Sequence, residues 1–385
     1  MSHDDEANVA IVGGGCVGTS IALHLTRLGC KEVLLLERGH LAWGATGKSS
    51  AIVNVGVWNA SQPLVKMLLE SIDIYRNFAQ QIGGSCGFHP TGWIGVAGKA
   101  QEEKVKKTVA AEKSLGANSK LLTQSEISAI QPGTFTEDLT LAVYEPLSGY
   151  ADPVETTNSY GKEAEKLGAK IITGVNVTRI TNGGQTKIIE TDKGQFKANK
   201  VVMAANVWAP KLVSSLGVSL PITPTRKQVC LFKLQDTGRP RIIMDDFVGD
   251  LYIKPEGDQT LVGEIESPGL TCDPDNFPEG LDSDMIPKLA QKLVHRLPAM
   301  NAAVSRGGYS GPYDVSPDDH PILDELPGYD GIYCAVGFSG HGFRFSPCTG
   351  RLMAEFVVEG KSKGVDIREF RLSRFAEGKS IAHLA

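Results

Sequence analysis

The chain has 385 residues, of which 41% are hydrophobic and 22% charged, with a formal net charge of −5. These values exclude a disordered chain and allow a large core shared between two or three domains. There is no stripe of lysine and arginine, so nucleic acid is not an expected partner, and every apolar run is too short for a membrane span.

The opening MSHDDEA is acidic and polar, unlike a signal peptide or a basic transit sequence. Seven cysteines (16, 30, 86, 230, 272, 334 and 348) are scattered and odd in number, with no C-x-x-C. This pattern speaks against a disulfide framework and a metal site, and for a reducing, cytoplasmic location.

Residues 8–39 (NVAIVGGGCVGTSIALHLTRLGCKEVLLLERG) read as strand, glycine turn, helix, strand. Ala10 to Val12 form a short apolar run suited to a strand buried on both faces. Gly13, Gly15 and Gly18 then give G-x-G-x-x-G. The first two let the backbone turn and approach a pyrophosphate, and the third lets the helix pack closely on the strand. The helix, expected at 18–28, points its N–H groups at the phosphates. Glu37 ends the next strand (31–36), at the spacing where an acid meets the ribose hydroxyls and disfavours a 2′-phosphate. The motif alone does not separate FAD from NAD.

Residues 39–54 form a small, polar loop expected to lie along the cofactor, with Thr46, Ser49 and Ser50 as donors. An amphipathic helix is predicted at 64–82, a strand at 88–97 and a charged, exposed helix at 101–115. A strand follows at 139–144 and a turn at 149–153; Asp152 then caps a helix to 167, with Pro153 at its first position. Strands are predicted at 170–180, 187–191 and 201–205, then at 229–234, 241–245, 251–255 and 259–263, the last four as an antiparallel sheet. A helix at 285–297 and a strand at 331–336 lead to a final helix at 347–358, with Ser346 as N-cap and Pro347 in its first turn. Asn59, Ala60 and Ser61 match a glycosylation sequon. Cys16 and Cys348 fall at expected helix N-termini, where we read them as small packing residues. The alternation predicts an α/β chain: a Rossmann-like unit of 1–56, 150–215 and 311–385, and a sheet-rich unit of 57–149 and 216–310.

This order of elements, with IVGGGCVG, TGKSSAIV, FHPTGWIGVA, GYADP, VVMAANVWAP and the ending SPDDHPILDELPGYDGIYCAVGFSGHGFRFSPCTG, resembles the D-amino-acid oxidase/glycine oxidase/sarcosine oxidase (DAO) family of FAD-dependent oxidoreductases. GFSGHGF followed by a basic residue is similar to monomeric sarcosine oxidase; sarcosine oxidase β-subunits and archaeal proline dehydrogenase are comparably near. The resemblance implies FAD rather than NAD, and a p-hydroxybenzoate-hydroxylase-like arrangement in which a mixed or antiparallel substrate sheet caps the flavin. It implies cofactor contacts from Gly13, Gly15, Cys16, Val17, Gly18, Glu37, Arg38, Thr46, Ser49, Ser50, Val177, Ala205, Trp208, Gly337, Gly340, His341 and Gly342. It implies His341, Arg344, Tyr252 and Lys254 as substrate-side residues. For His341 direct catalysis and a structural turn role both stay open; for Arg344, a carboxylate anchor or a structural ion pair; for Tyr252, a carboxylate contact or packing; for Lys254, oxygen activation or a solvated strand end.

Three departures bear on chemistry. The position of the flavin-linking cysteine of monomeric sarcosine oxidases is Gly311, and the flavin-linking histidine of dimethylglycine dehydrogenases is missing from TGKSSA, so FAD is expected to be non-covalent. The substrate-gripping arginine at the end of that loop is Asn54. The basic residue after GFSGHGF, commonly lysine, is Arg344, whose planar guanidinium suits a carboxylate. Asn206 stands where glycine is usual, and asparagine tolerates a positive φ.

The expected reaction is oxidation of the C–N bond of a secondary or N-methylated amino acid. Hydride passes to flavin N5 and the imine is then hydrolysed, with oxygen or a partner protein as electron acceptor. Two alternatives are an FAD-dependent hydroxy-acid or glycerol-3-phosphate-type dehydrogenase, and a flavin-binding subunit of a hetero-oligomeric amine dehydrogenase that is inactive alone; either a homo- or a hetero-oligomer is compatible with the chain.

Overall fold

A computed structural model describes residues 6–56, 61–235, 238–266 and 269–381. Asn59 and Ala60 of the sequon lie outside them. Two large sheets organise the chain. The first has the order Ile322–Glu325, Ile332–Val336, Gly194–Met203, Glu6–Val12, Val33–Glu37, Lys170–Thr173, with Thr186–Thr191 and Val177–Gly183 added as a meander on Gly194–Met203. Five adjacent strands, from Ile332–Val336 to Lys170–Thr173, are parallel, and Val33–Glu37 and Ile332–Val336 among them are buried along their whole length. The helices Cys16–Arg27 and Gly342–Glu359 cross on one face of this sheet, where Gly350 sits against Ser20 so closely that an added Cβ would lie 2.0 Å from its Oγ.

The second sheet runs Leu270–Thr271, Thr223–Lys233, Gln259–Gly263, Leu251–Glu256, Ile243–Asp246, Trp93–Ala97, Leu141–Glu145, Lys120–Leu122, with Val304–Val315 also pairing with Thr223–Lys233. Only Ile243–Asp246 with Trp93–Ala97 is parallel, so the sheet is mixed. One face is packed by Met285–Arg296 through Leu289 and Leu293. The other carries Trp93, Ala97, Val143 and Ile243 against Val105 and Val109. A short ladder, Ile52–Val53 with Gly149–Tyr150, stands apart from both sheets.

Several predicted elements are corrected. The expected helix 64–82 is Gln62–Arg76 followed by Phe78–Gln81, broken where Asn77 leaves helical geometry at ψ 31°. The strand 88–97 is ordered only over Trp93–Ala97. The helix 101–115 is Glu102–Ser114, and its charge hides a buried face of Val105, Thr108, Val109 and Glu112. The strand 170–180 is two strands, divided at Gly174 (φ +69°). The long strand Val304–Val315 was not foreseen, because its run of Gly, Ser and Tyr has no apolar period.

The last helix differs most. It runs Gly342–Glu359 with His341 at the N-cap, so Ser346 is not a cap and Pro347 lies inside. Proline lacks the N–H that would reach back to the Phe343 carbonyl. The Tyr75 hydroxyl donates to that carbonyl instead, at 2.7 Å. A partner from another helix thus lets the helix start five residues before its proline. Cys348 is therefore buried within the helix, where burial pushes its thiol up. The N-terminal reading of Cys16 holds, and burial pushes its thiol up as well.

Candidate flavin and substrate site

The strand Glu6–Val12 ends at Gly13, which has φ +115° and whose added Cβ would lie 2.4 Å from the Ala204 carbonyl oxygen. A Cβ on Gly18 would lie 2.0 Å from the Gly13 carbonyl oxygen, so glycine is what allows the helix to sit directly on the strand. The Cys16 N–H donates to Thr46 Oγ1 at 3.2 Å, which ties the loop 39–54 to the first turn of the helix. The Glu37 carboxylate accepts from Gly14 N at 2.6 Å and from Gly39 N at 2.7 Å. It is fixed in place, and each oxygen keeps further acceptor capacity.

These elements wall a cavity of about 380 Å³. Of the predicted cofactor residues, Gly13, Gly15, Cys16, Val17, Glu37, Arg38, Thr46, Ser49, Val177, Ala205, Trp208, Gly340 and Gly342 line it. Gly18, Ser50, Gly337 and His341 are not in its wall. Gly18 acts from behind by packing, and the Gly337 N–H donates to Asp314 Oδ2 at 2.6 Å, which shapes the turn. His341 is the N-cap of the last long helix, between two lining glycines. Asn206 adopts φ +47°, as expected of a glycine substitute, and lines the cavity.

Sequence reasoning missed the clasp over one end. Arg38 lies 4.4 Å from the Trp43 ring centroid and 3.9 Å from that of Trp208. Asp275, from the segment after Leu270–Thr271, accepts from Arg38 Nη1 and from Trp208 Nε1, each at 2.8 Å, and lines the cavity. Nothing local marks Asp275, since its partners are remote in sequence.

None of the predicted substrate-side residues, His341, Arg344, Tyr252 and Lys254, is in the wall of this cavity. Tyr252 and Lys254 project from the same face of the second sheet as Asp245. The Tyr252 ring covers Gly263, where an added Cβ would lie 2.5 Å from it, and its hydroxyl meets the Ser50 side chain. Lys254 is buried, ion-paired with Glu256 and 4.5 Å from the Tyr150 ring centroid, so the solvated reading fails. Burial lowers its pKa, and Glu256 opposes the shift. Arg344, in the first turn of the last long helix, is 8% exposed and donates to Asn54 Oδ1 at 2.7 Å. Burial lowers it to about 10, opposed by Asp245, Glu145 and Glu112.

The sequence model of the DAO family, FAD dependent oxidoreductase, matches residues 8–356. The chain belongs to the DAO family of FAD-dependent oxidoreductases. It is similar to proteins of varied length. It is 26% identical over 375 residues to human mitochondrial dimethylglycine dehydrogenase, covering 93% of this chain but 43% of that one. The chain thus spans less than half of that relative. With monomeric sarcosine oxidase of Bacillus sp. (strain B-0618) identity is 26% over 387 residues, covering 97% of both. The fold matches L-proline dehydrogenase from P. horikoshii with TM-score 0.89 at 23% identity, over 98% of this chain and 100% of that one. It matches glycine oxidase from Geobacillus kaustophilus with TM-score 0.85 at 25% identity, over 96% and 99%. The residues present fit FAD. A Cβ would obstruct the glycine turn, the helix Cys16–Arg27 opens on the cavity, and Glu37 stands ready for hydroxyl groups.

Proposed function

We propose that this DAO-family chain binds FAD non-covalently and oxidises the C–N bond of a secondary or N-methylated amino acid. The observation that carries the reading is Arg344: a buried guanidinium, preset by Asn54, on the helix whose first residues, Gly342 and Phe343, line the cavity. We also propose that the nucleotide unit comprises 1–56, 150–215 and 311–385. In support, every strand of the first sheet falls within it.

When bound, FAD supplies the two-electron acceptor for a hydride leaving the carbon next to nitrogen. Gly13, Gly15 and the first turn of the helix Cys16–Arg27 hold its phosphates, and Glu37 holds its ribose. Arg344 receives the substrate carboxylate through a charge-assisted hydrogen bond. Asn54, in place of a second cation, orients that guanidinium. Tyr252 adds a donor from the sheet. The N-terminus of the helix Gly342–Glu359, at the cavity wall, favours negative charge there. Lys254, with its lowered pKa and its place on the Tyr252 face, is the candidate for promoting reaction with oxygen.

The test is anaerobic titration of the flavin-bearing chain with sarcosine, L-proline, N,N-dimethylglycine, glycine, D-alanine and glycerol 3-phosphate, followed by admission of air. Bleaching by an amine is expected. Recolouring in air distinguishes oxygen from a partner protein as acceptor. Arg344→Ala should raise the half-saturating amine concentration at least tenfold; an unchanged value sinks the anchor role.

A further inference from the structure

Beside Arg344 the second sheet presents polar groups that a carboxylate anchor does not use. Asp245 pairs with Tyr252, Trp93 with Glu145, and Ile243, two residues before Asp245, with Trp93. Alternation along strands therefore sets Asp245, Tyr252, Trp93 and Glu145 on one face. The residues between them, including Ile94, Met244 and Ile253, turn to the opposite core. The helix Glu102–Ser114 lies over the near face and carries the fully buried Glu112.

Glu145 is engaged: its carboxylate accepts from Val55 N and Gly56 N, each at 2.8 Å, and from Ser148 Oγ at 2.7 Å. The others are not. Asp245 Oδ1, Trp93 Nε1, Arg344 Nε and both oxygens of Glu112 are buried without a hydrogen-bond partner among the described residues. The Trp93 indole is near enough to lower the Asp245 pKa, yet neither atom reaches hydrogen-bond geometry with the other. Buried polar atoms are satisfied about nine times in ten, so several orphans in one place mark a site for a polar occupant.

The orphans have both signs: Arg344 and Trp93 donate, and Asp245 accepts. A bare carboxylate answers only the donors. It would also add a fourth carboxyl group around one guanidinium that already faces Asp245, Glu145 and Glu112. An occupant with both an acceptor and an N–H answers both sets. We propose, resting on the amino-acid reading above, that Asp245 accepts a hydrogen bond from the substrate's amine nitrogen while Arg344 holds its carboxylate. The site thereby selects amino acids whose neutral amine keeps an N–H. Hydride loss needs the nitrogen lone pair free, so the reactive form is the neutral amine. A primary or secondary amine then still has an N–H for Asp245, and a tertiary amine has none. Burial pushes Asp245 up to about 7 while Trp93 and Arg344 oppose it, so a carboxylate acceptor is available from near neutrality upward.

The test compares ligands of the holoenzyme by anaerobic flavin absorbance. In the wild type, sarcosine or L-proline should saturate at a concentration at least tenfold below that for N,N-dimethylglycine. Asp245→Ala should raise the sarcosine and proline values about tenfold or more and leave acetate, which has no nitrogen, binding no more weakly. If that variant loses its flavin, Asp245→Leu, of similar size but without an acceptor, should show the same amine-over-acetate selectivity of loss. Equal loss for acetate and sarcosine, an unchanged sarcosine value, or equal use of N,N-dimethylglycine overturns the proposal while leaving the amine reading intact. A flavin bleached only by glycerol 3-phosphate overturns the amine reading itself, and this proposal with it.

Discussion

Glu112 gives the sharpest test of the electrostatics around Arg344. It is fully buried, and burial pushes its pKa from 4.5 to about 9, with Glu145 adding to the shift and Arg344 opposing it. Between these two values the folded chain holds a proton that the unfolded chain has released. The folded pKa is raised, so stability is complete below pH 4.5 and falls as pH rises towards 9. The loss is about 1.4 kcal/mol per pH unit, hence about 3 kcal/mol at pH 7. Glu112→Gln keeps the shape and cannot titrate. Its stability relative to the wild type should therefore climb with pH, from about 0.8 kcal/mol near pH 5 to about 3 kcal/mol at pH 7. From the usual unfolding entropy per residue, this is a rise of about 4 °C in melting temperature. Thermal unfolding of both proteins at pH 5, 6, 7 and 8 measures the difference directly, and other titrating groups cancel in it. A difference that does not change with pH, or one that shrinks as pH rises, refutes a buried neutral carboxyl at this position.

Other expectations follow from single contacts. Tyr75→Phe removes the donor to the Phe343 carbonyl that Pro347 leaves unmet. It should cost about 1–3 kcal/mol in denaturant unfolding, and a change under about 0.5 kcal/mol would show that the carbonyl finds another partner. Gly18→Ala places a methyl group 2.0 Å from the Gly13 carbonyl oxygen. The variant should purify without flavin absorbance; full flavin occupancy would disprove the close packing. Asp275→Ala removes the acceptor shared by Arg38 and Trp208. Release of flavin fluorescence on dilution should be several-fold faster than in the wild type, and an equal rate would mean that the clasp does not retain the cofactor.

What could be read from the sequence was whatever depends on neighbours in the chain. The glycine turn, Glu37 and the Asp152–Pro153 helix start are short-range, and the structure has them where they were expected: Asp152 accepts from Val154 N and Glu155 N at 2.8 and 2.7 Å. The last helix was misjudged because Pro347 reads as a start, and the compensating Tyr75 hydroxyl comes from another helix. The helix Glu102–Ser114 shows mostly charge in the sequence, and nothing local there marks Glu112 as buried. Asp245 and Glu145 were passed over for a related reason. Acidic residues in a strand carry no periodic signal, and only the pairing of four strands brings them onto the Arg344 side.

The interleaving of the first sheet has a consequence for how this chain reaches its folded state. Glu6–Val12 finds one neighbour, Val33–Glu37, within its own βαβ unit, but its other neighbour, Gly194–Met203, lies beyond the first three strands of the second sheet, and Ile332–Val336 must then join that strand from beyond all of it. Until those segments arrive, the opening unit presents a flat, apolar, parallel edge with unpaired backbone groups, the geometry most prone to pairing with a second chain. Closure of such distant strand pairs is intrinsically slow. Excising the opening unit as a miniature dinucleotide binder would therefore leave that edge permanently open, and aggregation would be its characteristic failure.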